Sequence, residues 1–132
     1  MSEAEVRTAT PEDVGVVGRL LWDFNTEFET PTRRPRSSPP GFAYLTLRPA
    51  PYFDGPLAQL EELCVRPHLR DRGGGTALLQ RALELCRERG AGEMHINVDE
   101  DDTDTRRFYE RHGFLNILPG TDYRMLFYEQ EL

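Results

Sequence analysis

Residues 63 to 76, Leu63-Cys64-Val65-Arg66-Pro67-His68-Leu69-Arg70-Asp71-Arg72-Gly73-Gly74-Gly75-Thr76, carry a short apolar strand through a glycine-rich turn into a helix. Three successive glycines remove side-chain bulk where the chain turns, so backbone N–H groups can close on an anion. The helix that follows adds unpaired N–H groups and the positive end of its dipole. The junction is therefore suited to phosphate. Two familiar phosphate templates do not fit it. A dinucleotide fingerprint needs a third glycine three positions beyond Gly75, where Leu78 stands, and a P-loop needs a lysine, which the chain lacks.

A different pattern does fit. Arg70-Asp71-Arg72-Gly73-Gly74-Gly75 matches R/Q-x-x-G-x-G/A, five residues after Val65 of the apolar strand. Some thirty residues on, Asp104-Thr105-Arg106-Arg107-Phe108-Tyr109-Glu110-Arg111-His112-Gly113-Phe114 matches N-x-x-A-x-x-F-Y-x-x-x-G-F in its Phe-Tyr pair and Gly-Phe stop, with Asp102 and Thr105 where asparagine and alanine are usual. In this order and separation the two segments resemble the signatures of the Gcn5-related N-acetyltransferase (GNAT) family. The resemblance implies an α/β fold built on a mixed α+β sheet, with acetyl-CoA as co-substrate and no metal. It assigns the coenzyme to Leu63, Cys64, Val65, Arg70, Asp71, Arg72, Gly73, Gly74, Gly75, Thr76 and Asp102.

At 132 residues the chain is expected to form a single domain over 1–132. No apolar run approaches bilayer length, and Met1-Ser2-Glu3-Ala4-Glu5 lacks the basic and apolar regions of a signal peptide, so a cytoplasmic protein with no membrane partner is expected. Cys64 and Cys86 fit no metal spacing and read as buried small hydrophobes. A net charge of −7 argues against a nucleic-acid partner and favours cationic ones. The run Arg33-Arg34-Pro35-Arg36 reads as a solvated linker. His68, His95 and His112 are too dispersed for a ligand set.

Along the chain, Glu5 to Ala9 alternates weakly as a first strand. Thr10-Pro11-Glu12-Asp13 then opens a helix with Val14, Val17, Leu21, Phe24 and Phe28 on one face. Glu29 to Gly41, with four prolines, reads as a loop. Strands are expected at 42–48 and 57–66, joined by a wide turn, followed by a helix over 76–89 with Leu78, Leu79, Ala82, Leu83 and Cys86 inward. A strand at 93–98, a helix at 103–112 stopped by Gly113, and two strands around Pro119-Gly120 complete the order. Relative to the family pattern, the fold is expected to be shortened between the first helix and the third family strand, with the family's second helix and second strand either absent or degenerate. The missing strand would leave an open sheet edge that a second copy of the chain can cover, making a homodimer an expectation.

Acetyl transfer to an amine needs a neutral nucleophile, stabilisation of an oxyanion and a proton for the departing thiolate. An alkylammonium with a pKa of about 10.4 must first lose a proton. In the family a glutamate on the strand before the phosphate loop often takes it. Glu61 and Glu62 lie there, on opposite faces by period-2 alternation, with Glu61 preferred. The resemblance makes the backbone N–H of Val65 or its neighbour the oxyanion donor and Tyr109 the acid. Asp99-Glu100-Asp101-Asp102-Thr103-Asp104 fails as a calcium loop, because Asp104 falls where glycine is required, and reads as an acidic helix start. The acceptor is expected to be a small cationic amine or a protein amine. The competing reading is a non-catalytic acyl-CoA-binding module.

Overall fold

The computed structural model describes residues 6–13, 41–65 and 73–132. The chain forms two compact units, residues 1–95 and 96–132. In the first, β1 (Gly41–Arg48) pairs antiparallel with β2 (Leu57–Val65), and β3 (Met94–His95) pairs parallel on the other side of β2. A helix, α1 (Gly74–Glu88), packs on β1 and β2. The buried residues are Leu57, Ala58, Leu60 and Cys64 of β2 and Leu79, Ala82 and Cys86 of α1.

The three buried α1 residues recur at i, i+3 and i+7, the spacing of one helix face. Leu78 and Leu83, expected inward, are only half-buried, so the stripe is narrower than the sequence suggested. The helix starts two residues earlier than expected. Gly73, in the left-handed conformation at φ +83°, is its N-cap, so Gly74 and Gly75 form the first turn. At the far end the Gly90 N–H reaches the Arg87 carbonyl at 3.0 Å and the Ala91 N–H reaches Cys86 at 2.9 Å. These are the two bonds of a Schellman motif, with Gly90 at φ +86° as its left-handed residue.

A close backbone approach fixes where α1 ends. Gly55, in the turn between β1 and β2, lies so near Gly90 that a Cβ on Gly55 would collide with the Gly90 carbonyl oxygen. Next to this contact the buried Ala58 N–H donates to Glu93 O at 3.1 Å, drawing the chain after α1 onto β2. The strand expected over 93–98 is paired only at Met94 and His95. Alternation of half-buried and exposed side chains nevertheless continues through Val98.

Pro11–Asp13 form a single 3-10 turn. The Asp13 carboxylate takes a bidentate pair of bonds from Arg7, at 2.8 and 2.9 Å, and the Thr10 N–H at 2.8 Å. The acidic residue of the expected helix start thus reaches back to the N-cap amide. The helix beyond Val14 and the proline-rich segment lie outside the described residues. Residues 6–9 are in no strand.

In the second unit, α2 (Thr103–Arg111) is capped by Asp102, whose side chain accepts the Thr105 N–H at 3.3 Å. The two strands expected after it reduce to a turn at Pro119-Gly120 and one antiparallel bridge, Ile117 with Arg124. Strand pairing is rewarded by burying a face, and Leu115, Ile117, Tyr123, Met125 and Phe127 are all exposed. Among the described residues no helix is long and apolar enough to cross a membrane.

Two outcomes follow from these contacts. Gly55→Ala should lower the unfolding free energy by about 1–3 kcal/mol in urea titration, because a methyl group must displace backbone rather than a side chain. Arg7 holds the Asp13 carboxyl well below the usual carboxylate range, chiefly by hydrogen bonding. A carboxyl whose folded pKa is depressed stabilises above its unfolded value, near 3.9, and loses that contribution as pH falls toward the folded value. Asp13→Asn should therefore flatten the acid limb of the melting temperature against pH below about pH 5.

Candidate active site

The β1–β2 ladder changes register at one point. Gly41 to Tyr44 pair with Val65 to Glu62, whereas Leu45 to Arg48 pair with Leu60 to Leu57, which leaves Glu61 as an extra residue in β2. This is a β-bulge. β1 stays regular, so Tyr44 and Thr46 project from the same face. Glu62 lies directly opposite Tyr44, and the Thr46 hydroxyl donates to Glu61 Oε1 at 2.8 Å. Both carboxylates therefore share one face of the sheet. The expectation that alternation sends them to opposite faces is corrected, because the bulge inserts one residue between them and their ladder partners.

The two carboxylates have different surroundings. Glu61 is exposed, whereas Glu62 is half-buried and its Oε2 lies 4.0 Å from Cys64 Sγ. Among the described residues neither is in an ion pair. Cys64 itself is buried on the same face, opposite Phe42, and behaves as the small core residue expected.

The opposite face carries Ala58, Leu60, Leu63 and Val65. Val65 leads to the helix start: its Cγ1 would lie 3.8 Å from a Cβ built on Gly74, an ordinary contact that sets the first turn of α1 beside the end of β2. Gly73, the N-cap, has no side chain to offer as a cap. Among the described residues, a Cβ on Gly73 would meet nothing within 4 Å. Such an end suits an anionic ligand. Arg70, Asp71 and Arg72 lie outside the described residues.

In the second unit the Phe-Tyr-x-x-x-Gly-Phe pattern resolves into backbone geometry. Gly113, at φ +90°, ends α2: its N–H reaches Glu110 O at 3.2 Å, and the Phe114 N–H reaches Tyr109 O at 3.1 Å. This is a second Schellman motif, and the apolar contact that accompanies such motifs is supplied by the Tyr109 and Phe114 rings, 5.4 Å apart and edge-to-face. Phe108 meets Tyr109 at 5.2 Å and His112 at 4.8 Å. Tyr109 is the buried residue of α2.

Asp102, at the position of the family asparagine, is occupied as the helix cap. The neighbouring acidic run is likewise structural: Glu100 O accepts Arg106 Nη1 at 2.9 Å, and the Glu100 carboxylate pairs with Arg124, which holds its carboxyl below the ordinary range. In α1, burial pushes the Cys86 thiol up. Among the described residues no group of histidine, cysteine and acidic side chains is placed to hold a metal ion.

Residues 37–114, more than half of the chain, match the Acetyltransferase (GNAT) family. The chain belongs to this family. A candidate acetyltransferase from Arthrobacter sp. FB24, known from a crystal structure, is 40% identical with a TM-score of 0.87, the match covering 100% of this chain and 99% of that one. The GNAT fold is thereby shared along its length. A mycothiol acetyltransferase from Clavibacter sepedonicus is 37% identical over 71 residues, 54% of this chain and 23% of that protein. An uncharacterized N-acetyltransferase from Methanocaldococcus jannaschii is 36% identical over 58 residues, 44% of this chain and 26% of that protein. The chain's matches span about a quarter of the length of these two curated relatives.

The GNAT signature thus maps onto a helix end whose left-handed residue tolerates little but glycine. Gly113→Ala should cost about 1–2 kcal/mol through the left-handed backbone alone. It should also change the near-ultraviolet circular dichroism of the Tyr109–Phe114 pair. An unchanged aromatic signal together with unchanged stability would show that the stop does not hold the ring.

Proposed function

We propose that this GNAT-family chain is an acetyl-CoA-dependent N-acetyltransferase that moves the acetyl group directly to an amine. The observation that carries the reading is the order of β2 and α1, with a bulged pair of carboxylates on the strand and a helix start whose N-cap is Gly73. The start of α1 fits an anionic pyrophosphate by its amides and dipole, and Arg70 and Arg72 would add charge-assisted bonds. Acetyl-CoA supplies the activated thioester.

The protein's own groups then manage protons. A carboxylate of the Glu61–Glu62 pair accepts the proton an acceptor ammonium must shed before its nitrogen can attack the acyl carbon. The backbone N–H of Val65 or its neighbour is the donor for the acyl oxygen as negative charge develops on it. Tyr109 protonates the sulfur as the carbon–sulfur bond breaks, and it regains a proton from the nitrogen that becomes the amide. One proton is released overall when the acceptor begins as an ammonium. The acceptor is a small cationic amine or a protein amine, in keeping with the acidic balance of the chain.

Tyr109→Phe should lower kcat by about 10²- to 10⁴-fold with little change in KM for acetyl-CoA, measured as thiol release across a panel of amines. Tight acetyl-CoA binding by calorimetry, with no turnover on any amine, would instead identify a non-catalytic acyl-CoA-binding module.

A further inference from the structure

We infer that residues 124–129 pair antiparallel with the same residues of a second copy of the chain, making a two-fold dimer. In the hairpin that follows α2, Ile117 bridges Arg124, and the Met125 N–H donates to Asn116 O at 2.7 Å. Continued outward, this register would set Leu126 opposite Leu115 and Tyr128 opposite Gly113. Pairing cannot extend that far, because the Gly113 and Phe114 N–H groups already donate to carbonyls of α2. Residues 126–132 accordingly lie in no helix or strand and make no hydrogen bond or ion pair among the described residues. Their main-chain groups are an open template for another strand.

The side chains fit a second copy. Leu115, Tyr123, Met125, Leu126, Phe127 and Tyr128 are exposed to between 48% and 84%. At about 200 Å² for each such residue, the exposed area is on the order of 700 Å². That exceeds the largest apolar patch of a typical monomer, about 300–600 Å², and approaches the share of about 800 Å² that each partner gives to a stable complex. In a strand, Met125 and Phe127 would lie on one face and Leu126 and Tyr128 on the other, so both faces are apolar. Charge sets the direction of pairing. The segment opens on Arg124 and closes on Glu129 and Glu131. A parallel pair would set Glu129 beside Glu129. An antiparallel pair centred between Leu126 and Phe127 instead sets Arg124 opposite Glu129 twice, with Met125 opposite Tyr128. Arg124 already meets Glu100, but a guanidinium has five N–H donors and can serve a second carboxylate. Because both copies use the same patch, the assembly closes at two.

Sedimentation velocity on the full chain across a micromolar concentration series tests this, together with amide hydrogen exchange at both ends of the series. The chain should sediment as a dimer at the high end, with the amides of 124–129 protected there and exchanging freely once dilution yields monomer. Phe127→Asp should raise the dimer dissociation constant by at least about 30-fold. Glu129→Arg, which sets arginine opposite arginine twice, should raise it about tenfold at low salt and less at high salt. Both positions are exposed, so the far-ultraviolet circular dichroism of each variant should match that of the wild type. A monomer at every concentration would overturn the inference. So would protection of 124–129 that is unchanged by dilution, since the chain would then cover the segment itself, or a dimer that Phe127→Asp leaves intact.

Discussion

The one-residue offset between β1 and β2 is the constraint on which the first unit depends. An antiparallel ladder normally commits alternate residues to opposite faces, so one strand can offer only every second side chain to a site. By inserting Glu61 between two correctly paired stretches, the bulge keeps Ala58 and Leu60 on the apolar face while Glu62 and Cys64 stay paired with Tyr44 and Phe42. The core is preserved, and the site face gains a carboxylate that strict alternation would have spent elsewhere. Thr46 then turns that extra residue from a loose insertion into an oriented one.

The same economy is seen in α2. Tyr109 is held by the geometry of a helix end. Its carbonyl receives the Phe114 and His112 N–H groups, at 3.1 and 3.0 Å, and its ring packs against the residue the Schellman turn brings back. The cap at the other end comes from Asp102, so both termini of a nine-residue helix are tied down by the residues that mark the family pattern. A short helix gains little from propensity alone and depends on such ends.

Much of this was legible before any coordinates. The strand pair, expected at 42–48 and 57–66, the helix after the glycine run, its stop at Gly90 and the Gly113 end of α2 follow from alternation, helical spacing and the special backbone freedom of glycine, although α1 takes in Gly74 and Gly75 as well. The bulge was not legible. Glu61 and Glu62 are two ordinary polar residues in a strand, and nothing in their identity marks which one is extra; that is settled by pairing with β1, a non-local fact. The juxtaposition of Thr46 with Glu61 and of Tyr44 with Glu62 is non-local in the same way. The expected strands after Gly113 failed differently, since alternation there describes side chains that find no face to bury. A two-residue β3 likewise reflects how little of the 93–98 segment meets a partner, although its alternating burial persists.

The contact between Gly55 and Gly90 is a fulcrum. It sets one end of a fifteen-residue helix by main chain pressed on main chain, with no intervening side chain to absorb a displacement. At 1.5 Å per residue, the glycine amides at the other end lie about 22 Å away along the helix axis. A small tilt forced at the fulcrum is therefore magnified where an anion would be gripped. The turn between two strands thereby sets the aim of the glycine end of α1.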